Sequence, residues 1–438
     1  MSGVFLSLPW GDGVATACHE DLTLLEMLTV AEAPALPDPA GALRAQLDAP
    51  PGLNGPALAP LVPGTRVRII VSDATRRTGM HLLLPALLDA VAQRGVRRED
   101  ISFLVATGVH RAPTEDELDV ILGAEVHREF SGRILCHNAE DAASLRFTGN
   151  TRRGTPVWIN RAALETDFLI VTGTVVLHYF AGYGGGRKAV VPGIAGRATI
   201  AANHSLNLDP DSDRLNPAVR TGIMAGNPVA EDMAEAAATV PVHLCINTVL
   251  NRQCGLCGVH AGSLEAAHAG ACRQAAALYR VRLNEPADLV VASAGGAPNF
   301  LQSHKALHNA WQARRPGGLV LFLAPCPEGL GGSGFARWLS LGSPAAVIAG
   351  LRERAEINGQ TALSTLEKTP HTVLVSGLSG EDLSLLGATP ARTFQEGLDL
   401  CVARLRAAGI VRPTVIAMPE AGYTVPGGVA EGDSQAVP

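Results

Sequence analysis

A lysine and two histidines crowd into one glycine-rich stretch of this sequence. It runs His178-Tyr179-Phe180-Ala181-Gly182-Tyr183-Gly184-Gly185-Gly186-Arg187-Lys188, then Pro192-Gly193, then Asn203-His204. An amine and two imidazoles so placed can take up a covalent group, ligate a metal or move protons. The glycines let backbone N–H groups come close to a ligand, because no Cβ intervenes. A phosphate loop of the G-x-x-x-x-G-K-[ST] kind does not fit. Arg187 stands where it needs Gly and Ala189 where it needs Ser or Thr, so the turn and the Mg²⁺ ligand are both missing.

Something must hold these groups in place, and the apolar runs say what. Phe168-Leu169-Ile170-Val171-Thr172-Gly173 reads as a buried strand, so the glycine loop leaves its C-terminal end, where open α/β sheets bind ligands. Two earlier strands are predicted. Arg66 to Ser72 exits into Asp73-Ala74-Thr75-Arg76-Arg77, and Ile101 to Ala106 exits into Thr107-Gly108-Val109-His110-Arg111. Between and after them the spacing predicts helices, one from Leu82 to Gln93 and one opened by the capping box Thr114-x-x-Glu117. Strand alternating with helix argues for parallel βαβ units, whose strand ends share one edge of the sheet. Asp73, Arg76, His110, His178 and Lys188 are therefore expected in one site.

Further on, the pattern predicts a helix from Ile194 to Leu206 carrying His204, a strand from Val242 to Val249, and an Ala-rich helix from Ser263 to Arg280. His268 on the last reads as an ordinary helix-face histidine. Residues 1–64 read as a short apolar segment followed by the loop Ala33-Pro34-Ala35-Leu36-Pro37-Asp38-Pro39. Beyond Pro286 the pattern restarts. The strand Asp288 to Ala294 turns through Gly295-Gly296 into a helix bearing Gln302 and Lys305 one turn apart. Later strands complete a smaller sheet. The fold class expected is α/β, with two domains that are each a mostly parallel sheet flanked by helices and an active site in the cleft between them. The boundaries expected are 1–262 for the first domain, 263–285 for a linking helix and 286–438 for the second. The tail after Gly427 reads as disordered.

Composition narrows the function. A chain of 438 residues, 47% hydrophobic and 17% charged, is an ordinary globular one. A net charge of -6 gives no basic face for nucleic acid, and 4% aromatic residues offer no stacking platform. With neither a leader pattern nor a membrane-spanning run, the expectation is a cytoplasmic protein without a membrane partner. Eight cysteines in so long a chain are no disulfide framework. Cys254-x-x-Cys257 with His260 lacks the further ligands a zinc site needs and reads as buried thiols.

Taken together, the motifs resemble the nickel-pincer-nucleotide enzymes typified by lactate racemase. Ser72-Asp73-Ala74-Thr75-Arg76, Ala106-Thr107-Gly108-Val109-His110-Arg111, His178-x-Phe180, Gly185-Gly186-Arg187-Lys188, Asn203-His204 and Gln302-x-x-Lys305 fall in that family's order across nearly the whole chain. The resemblance implies a 2-hydroxyacid racemase or epimerase that passes a hydride to its cofactor through a 2-keto acid. The cofactor implied is the nickel pincer nucleotide, pyridinium-3,5-bisthiocarboxylic acid mononucleotide with nickel, attached covalently at Lys188. His204 is implied as the nickel ligand, and His110 and His178 as the two catalytic histidines. Phe180, Asp73, Thr107, Gly185 and Gly186 are implied around the cofactor, and Arg76, Gln302, Lys305 and Leu301 around the substrate. Cofactor-biosynthesis proteins that load the enzyme are implied as partners.

The residue types suit that chemistry. A hydride route avoids a carbanion beside a carboxylate, needs a base for the hydroxyl on each face, and needs a cation for the carboxylate. One departure bears on substrate. Leu301 occupies the place of a tyrosine in lactate-specific members, which removes a phenol donor and leaves a larger 2-hydroxy acid, a sugar acid included, open. Two other readings of the same residues stand beside this one: a zinc hydrolase or lyase with His110, His178 and His204 as ligands, and a non-catalytic cofactor-binding protein. A homo-oligomer is compatible with all three.

Overall fold

The chain begins with strands where the sequence predicts only a short apolar segment. In the computed structural model, which describes residues 3–427, Val4–Trp10 and Gly13–His19 form an antiparallel hairpin, and Thr23–Met27 (β1) follows. Leu6 and Leu8 point inward while Phe5 is exposed, the alternation of a half-buried strand. The Gly11-Asp12 pair between the two strands, with Gly11 at φ 58°, is a hairpin signal.

The strands that carry the glycine loop and its neighbours are Val67–Ser72 (β2), Ile101–Ala106 (β3), Ile134–Cys136 (β4), Phe168–Thr174 (β5), Leu244–Leu250 (β6) and Leu256–Gly262 (β7). They form one six-stranded sheet in the order β7-β6-β5-β2-β3-β4, parallel except for the antiparallel β6–β7 pair. Both faces are covered. Ile69, Val71, Phe103 and Ile170 pack on one side with Leu84, Leu87 and Val91 of the helix Leu84–Ala92. Ile70, Leu104, Leu169 and Val171 pack on the other with Val229, Met233 and Ala236 of the helix Pro228–Ala237. Period-two alternation along strands buried on both faces explains why they read as continuous apolar runs. The chain moves outward from β2 to β3 and β4, then returns to β5 on the far side of β2. That reversal places a topological switch point between β2 and β5, next to the exit of β3.

The second sheet comprises Ala287–Ser293 (β8), Arg314–Leu323 (β9), Thr372–Val375 (β10), Thr389–Ala391 (β11), Thr414–Met418 (β12) and β1, in the order β11-β10-β9-β8-β12-β1, all parallel. It is as wide as the first, because β1 and β11, which the sequence reading missed, supply its edges. Val290, Ala292 and Phe322 pack on one face with Phe300, Leu307 and Ala310 of the helix Phe300–Gln312. Leu289, Val291 and Leu321 pack on the other with Leu398, Val402 and Leu405, and with Leu6 and Leu8 of the hairpin.

Two compact units result. One holds residues 3–31, 207–216 and 279–427; the other holds 32–206 and 217–278. The sequence reading assigned all of 1–262 to one domain, whereas β1 pairs with β12 through Thr23 and Thr414 and belongs with the C-terminal sheet. The sequence also predicts a linking helix over 263–285. The helix Leu264–Tyr279 instead lies largely in the unit of the glycine loop. The tail after Gly427 lies outside the described residues. Among the described residues no helix is long and apolar enough to cross a membrane.

Candidate active site

Each of the three strand exits delivers the side chains its motif promised, and their contacts can be followed from one to the next. At the exit of β2, Asp73 is buried and Thr75 turns back on it, with the Thr75 N–H at 3.1 Å and the hydroxyl at 2.6 Å from Oδ1. The second oxygen, Oδ2, lies 2.6 Å from His110 Nδ1, delivered by the exit of β3. Burial pushes the Asp73 carboxyl up, but the bonds from His110 and Thr75 outweigh it and hold the group below its ordinary value. A carboxylate can only accept here, so His110 carries a proton on Nδ1, which in the neutral ring leaves the lone pair on Nε2. The His110 side chain is 44% exposed, open enough for a substrate to reach that nitrogen.

The exit of β5 supplies the rest. Phe180 is buried, and its ring is met by the His178 ring at 4.4 Å between centroids, the Tyr179 ring at 5.0 Å, the His204 ring at 5.1 Å, and Lys188 Nζ at 5.3 Å. His178 Nδ1 receives the backbone N–H groups of Phe180 at 3.4 Å and Ala181 at 3.3 Å. Those bonds are long, but both act on an acceptor, which puts the His178 proton on Nε2. His110 and His178 are thus in opposite tautomers.

Lys188 keeps part of its surface accessible. Desolvation of its amine, with the Arg76 charge adding to it, pushes the pKa down to about 7. Near neutrality much of this amine is uncharged and nucleophilic. His204 lies on the helix Arg197–Ser205 and donates Nδ1–H to Ile200 O at 2.7 Å, which places its lone pair on Nε2. Burial, reinforced by the Lys188 charge, pushes it down to about 4, so it stays neutral.

The glycines serve a different purpose from the one the sequence suggests. The N–H of Gly184 donates to Val176 O at 2.8 Å and that of Gly186 to Asn247 Oδ1 at 2.8 Å, so these two turn to the protein itself. Thr107 is buried and donates its hydroxyl to His137 O at 2.6 Å, while Gly108 N–H reaches Gly193 O at 2.9 Å and ties the exit of β3 to the loop after β5. Arg76 is exposed; Arg111 pairs with Glu117. In the other unit, Leu301, Gln302 and Lys305 occupy the first turns of the helix Phe300–Gln312, capped by Asn299 through the Gln302 N–H at 3.0 Å. Leu301 packs against that unit's core, and Gln302 is exposed.

Sequence reasoning missed Asp232. This carboxylate is completely buried and accepts from Thr151 Oγ1, from Thr155 Oγ1 at 2.9 Å and from Asn203 Nδ2 at 2.9 Å, fixing the helix that carries His204. A lone carboxylate on the apolar face Val229, Ala230, Met233, Ala236 was the available signal. Asp232→Ala leaves the buried Thr151 and Thr155 hydroxyls without their acceptor, takes one of the two bonds of Asn203 Nδ2, and should destabilise the protein by about 3 kcal/mol. A urea titration followed by circular dichroism measures it, and an unchanged midpoint refutes it. The Cys254-x-x-Cys257 segment resolves into separate environments. Cys254 Sγ accepts from Arg77 at 3.4 Å, Cys257 Sγ donates to Val249 O, and His260 Nε2 bonds Gln274 Oε1 at 2.7 Å.

Known proteins share this fold. The family model for the lactate racemase N-terminal domain matches residues 10–215, and that for the lactate racemase C-terminal domain matches residues 283–358. The chain belongs to the lactate racemase family. It is 33% identical over 273 residues to a lactate racemase of Thermoanaerobacterium thermosaccharolyticum, a match covering 62% of this chain and 62% of that protein. It is 36% identical over 272 residues to a lactate racemase of Lactiplantibacillus plantarum, covering 61% and 62%. The matched stretch thus spans less than two thirds of either relative. The lactate racemase apoprotein structure from T. thermosaccharolyticum superposes with a TM-score of 0.84 at 25% identity, over 97% of this chain and 100% of that one. A Thermotoga maritima protein of known structure shares the fold, with a TM-score of 0.57 at 16% identity over 84% of this chain and 94% of that one.

Proposed function

We propose that this chain is a racemase or epimerase that inverts C2 of a 2-hydroxy acid. The observation that carries the reading is the ring of Phe180, against which an amine of lowered pKa, a neutral histidine with its lone pair on Nε2, and a second histidine of opposite tautomer to His110 all converge. That donor set fits the nickel pincer nucleotide. Lys188 would hold it covalently and His204 would ligate its metal, one protein donor sufficing for a metal that arrives already held by its cofactor. When bound, the cofactor supplies an electron-poor ring that accepts and returns hydride.

The chain's own residues handle protons and orientation. His110 Nε2 takes the hydroxyl proton, and Asp73, bonded to Nδ1–H, steadies the positive charge that forms on the ring. His178, with its proton on Nε2, serves the opposite face. After the 2-keto acid turns, His178 returns a proton only once it has taken a second one from solvent, since a neutral ring that gave up its Nε2–H would be left an imidazolate, and His110 releases its proton to solvent. Arg76 would fix the substrate carboxylate with its guanidinium fork. Leu301, Gln302 and Lys305 remain assigned to the substrate by family resemblance, and a Gln302→Ala enzyme whose KM is unaltered removes Gln302 from that set. A cytoplasmic setting, with dedicated proteins loading the cofactor, belongs to the same reading.

Protein made in cells that synthesise the cofactor should be incubated with a panel of chiral 2-hydroxy acids in deuterated buffer. The expected result is inversion of at least one acid with C2 retaining its protium. Deuterium at C2 would replace the hydride route by proton abstraction, and failure to invert any acid would defeat the proposal. The zinc hydrolase reading is not favoured by the family match. Among the described residues no three His, Cys, Asp or Glu side chains are grouped to hold a metal ion.

A further inference from the structure

The loop that leads into Lys188 is gripped from two sides by residues the proposed chemistry does not use. Asn247, on β6 and completely buried, accepts the Gly186 N–H at Oδ1, 2.8 Å away. Its Nδ2 donates to Cys245 Sγ at 3.1 Å, which orients the amide with its oxygen toward the loop. His268, on the helix Leu264–Tyr279, is 2% exposed and donates Nε2–H to Gly184 O at 2.8 Å. Its Nδ1 then faces Arg187, whose guanidinium makes a long 3.5 Å contact with it. Burial and then the Arg187 charge push His268 down to about 4, so the donor and acceptor ends are fixed across the working pH range.

Shape adds to the hydrogen bonds. Gly185 and Gly186 have φ of 69° and 50°. A Cβ on Gly186 would stand 2.6 Å from the His268 ring, and one on Gly185 would stand 2.7 Å from Asn247 Oδ1. The next link is direct, since Lys188 N–H donates to Gly185 O at 3.0 Å. A buried polar side chain costs stability unless its atoms are bonded, and an aliphatic group would fill either space more cheaply. Both residues direct their polar atoms at the same three-glycine segment, one supplying an acceptor and the other a donor.

We propose that Asn247 and His268 are positioning residues that clamp the backbone of residues 184–186 and thereby hold the Lys188 amine in the geometry its modification requires. The inference rests on the assignment of Lys188 as the attachment point. It is tested with His268→Leu, His268→Gln and Asn247→Leu in the full chain, each made with and without the cofactor pathway. Two readouts are taken: hydrogen exchange of the peptide spanning residues 184–188, and the mass of the Lys188 peptide.

Leucine keeps volume but removes the donor at 268, and glutamine restores an N–H at about the reach of Nε2. The expected result is exchange at least tenfold faster in that peptide for both leucine variants, with β6 and the helix Leu264–Tyr279 unaltered. The fraction of Lys188 carrying the adduct should fall in parallel, and His268→Gln should recover both. Unchanged exchange in the leucine variants, or glutamine behaving like leucine, overturns the clamp. If His268→Leu fails to fold, Asn247→Leu decides by the same two readouts. Unmodified Lys188 in the unsubstituted protein from cofactor-producing cells would instead defeat the attachment reading, with the exchange data still judging the clamp.

Discussion

Lys188→Ala should abolish both the covalent adduct and the inversion of any 2-hydroxy acid, and Lys188→Arg should do no better. The guanidinium is charged at every working pH and cannot act as the nucleophile an amide-type bond requires. The decisive measurement is the mass of the residue 188 peptide, and an adduct surviving in the alanine protein would refute the assignment. The same group predicts a pH dependence. Desolvation, with Arg76 adding to it, brings the Lys188 pKa from an ordinary 10.5 to about 7, so the neutral amine is the major form above pH 7 and scarce below it. Loading of the apoprotein should therefore quicken as pH rises to about 7 and level off beyond, where a surface lysine would still be climbing. The sign for stability is the same. Between pH 7 and 10.5 the unfolded chain binds more protons than the folded one, so this group's cost is fully present below 7 and disappears as pH rises toward 10.5.

The second large effect is expected at the pair formed by Asp73 and His110. His110→Ala removes a base, and a loss of about 10²- to 10⁴-fold in kcat follows from the usual worth of such a group. Asp73→Asn is the sharper test, because it preserves shape. An amide that presents its NH₂ to Nδ1 favours the tautomer with the proton on Nε2, which turns the proposed base into a donor. A fall in kcat of about 10²-fold or more with KM little changed is expected, as for an interaction made only in the transition state. Normal kcat in Asp73→Asn would show that the 2.6 Å contact does not set the His110 tautomer.

How the strands and loops divide between the legible and the hidden follows from what a sequence can encode locally. The runs at Val67–Ser72, Ile101–Ala106 and Phe168–Thr174 are readable because strands buried on both faces are apolar over most of their length. Their order in the sheet was not needed to foresee that Asp73 and His110 would meet, since parallel strands put every exit on one edge. The capping box at Thr114 and Glu117 was readable because both of its bonds lie within three residues. The hairpin of Val4–Trp10 and Gly13–His19 is also written locally, in an inward and outward alternation around Gly11-Asp12.

By itself, then, the sequence determined the α/β class and the three loops proposed to carry the chemistry, with the amine and imidazoles they bear. The tertiary structure alone decided that Thr23–Met27 closes the C-terminal sheet, that Phe180 is the ring on which Lys188, His178 and His204 converge, and that His110 and His178 hold their protons on different nitrogens. It alone decided why the loop is rich in glycine, through Asn247 and His268, which lie 61 and 84 residues away from the backbone they bind. Periodicity and turn chemistry act over a few residues and so leave a local record. A hydrogen-bond partner, a tautomer or a displaced Cβ depends on which distant segments the sheet brings side by side, and no short stretch of the chain records that.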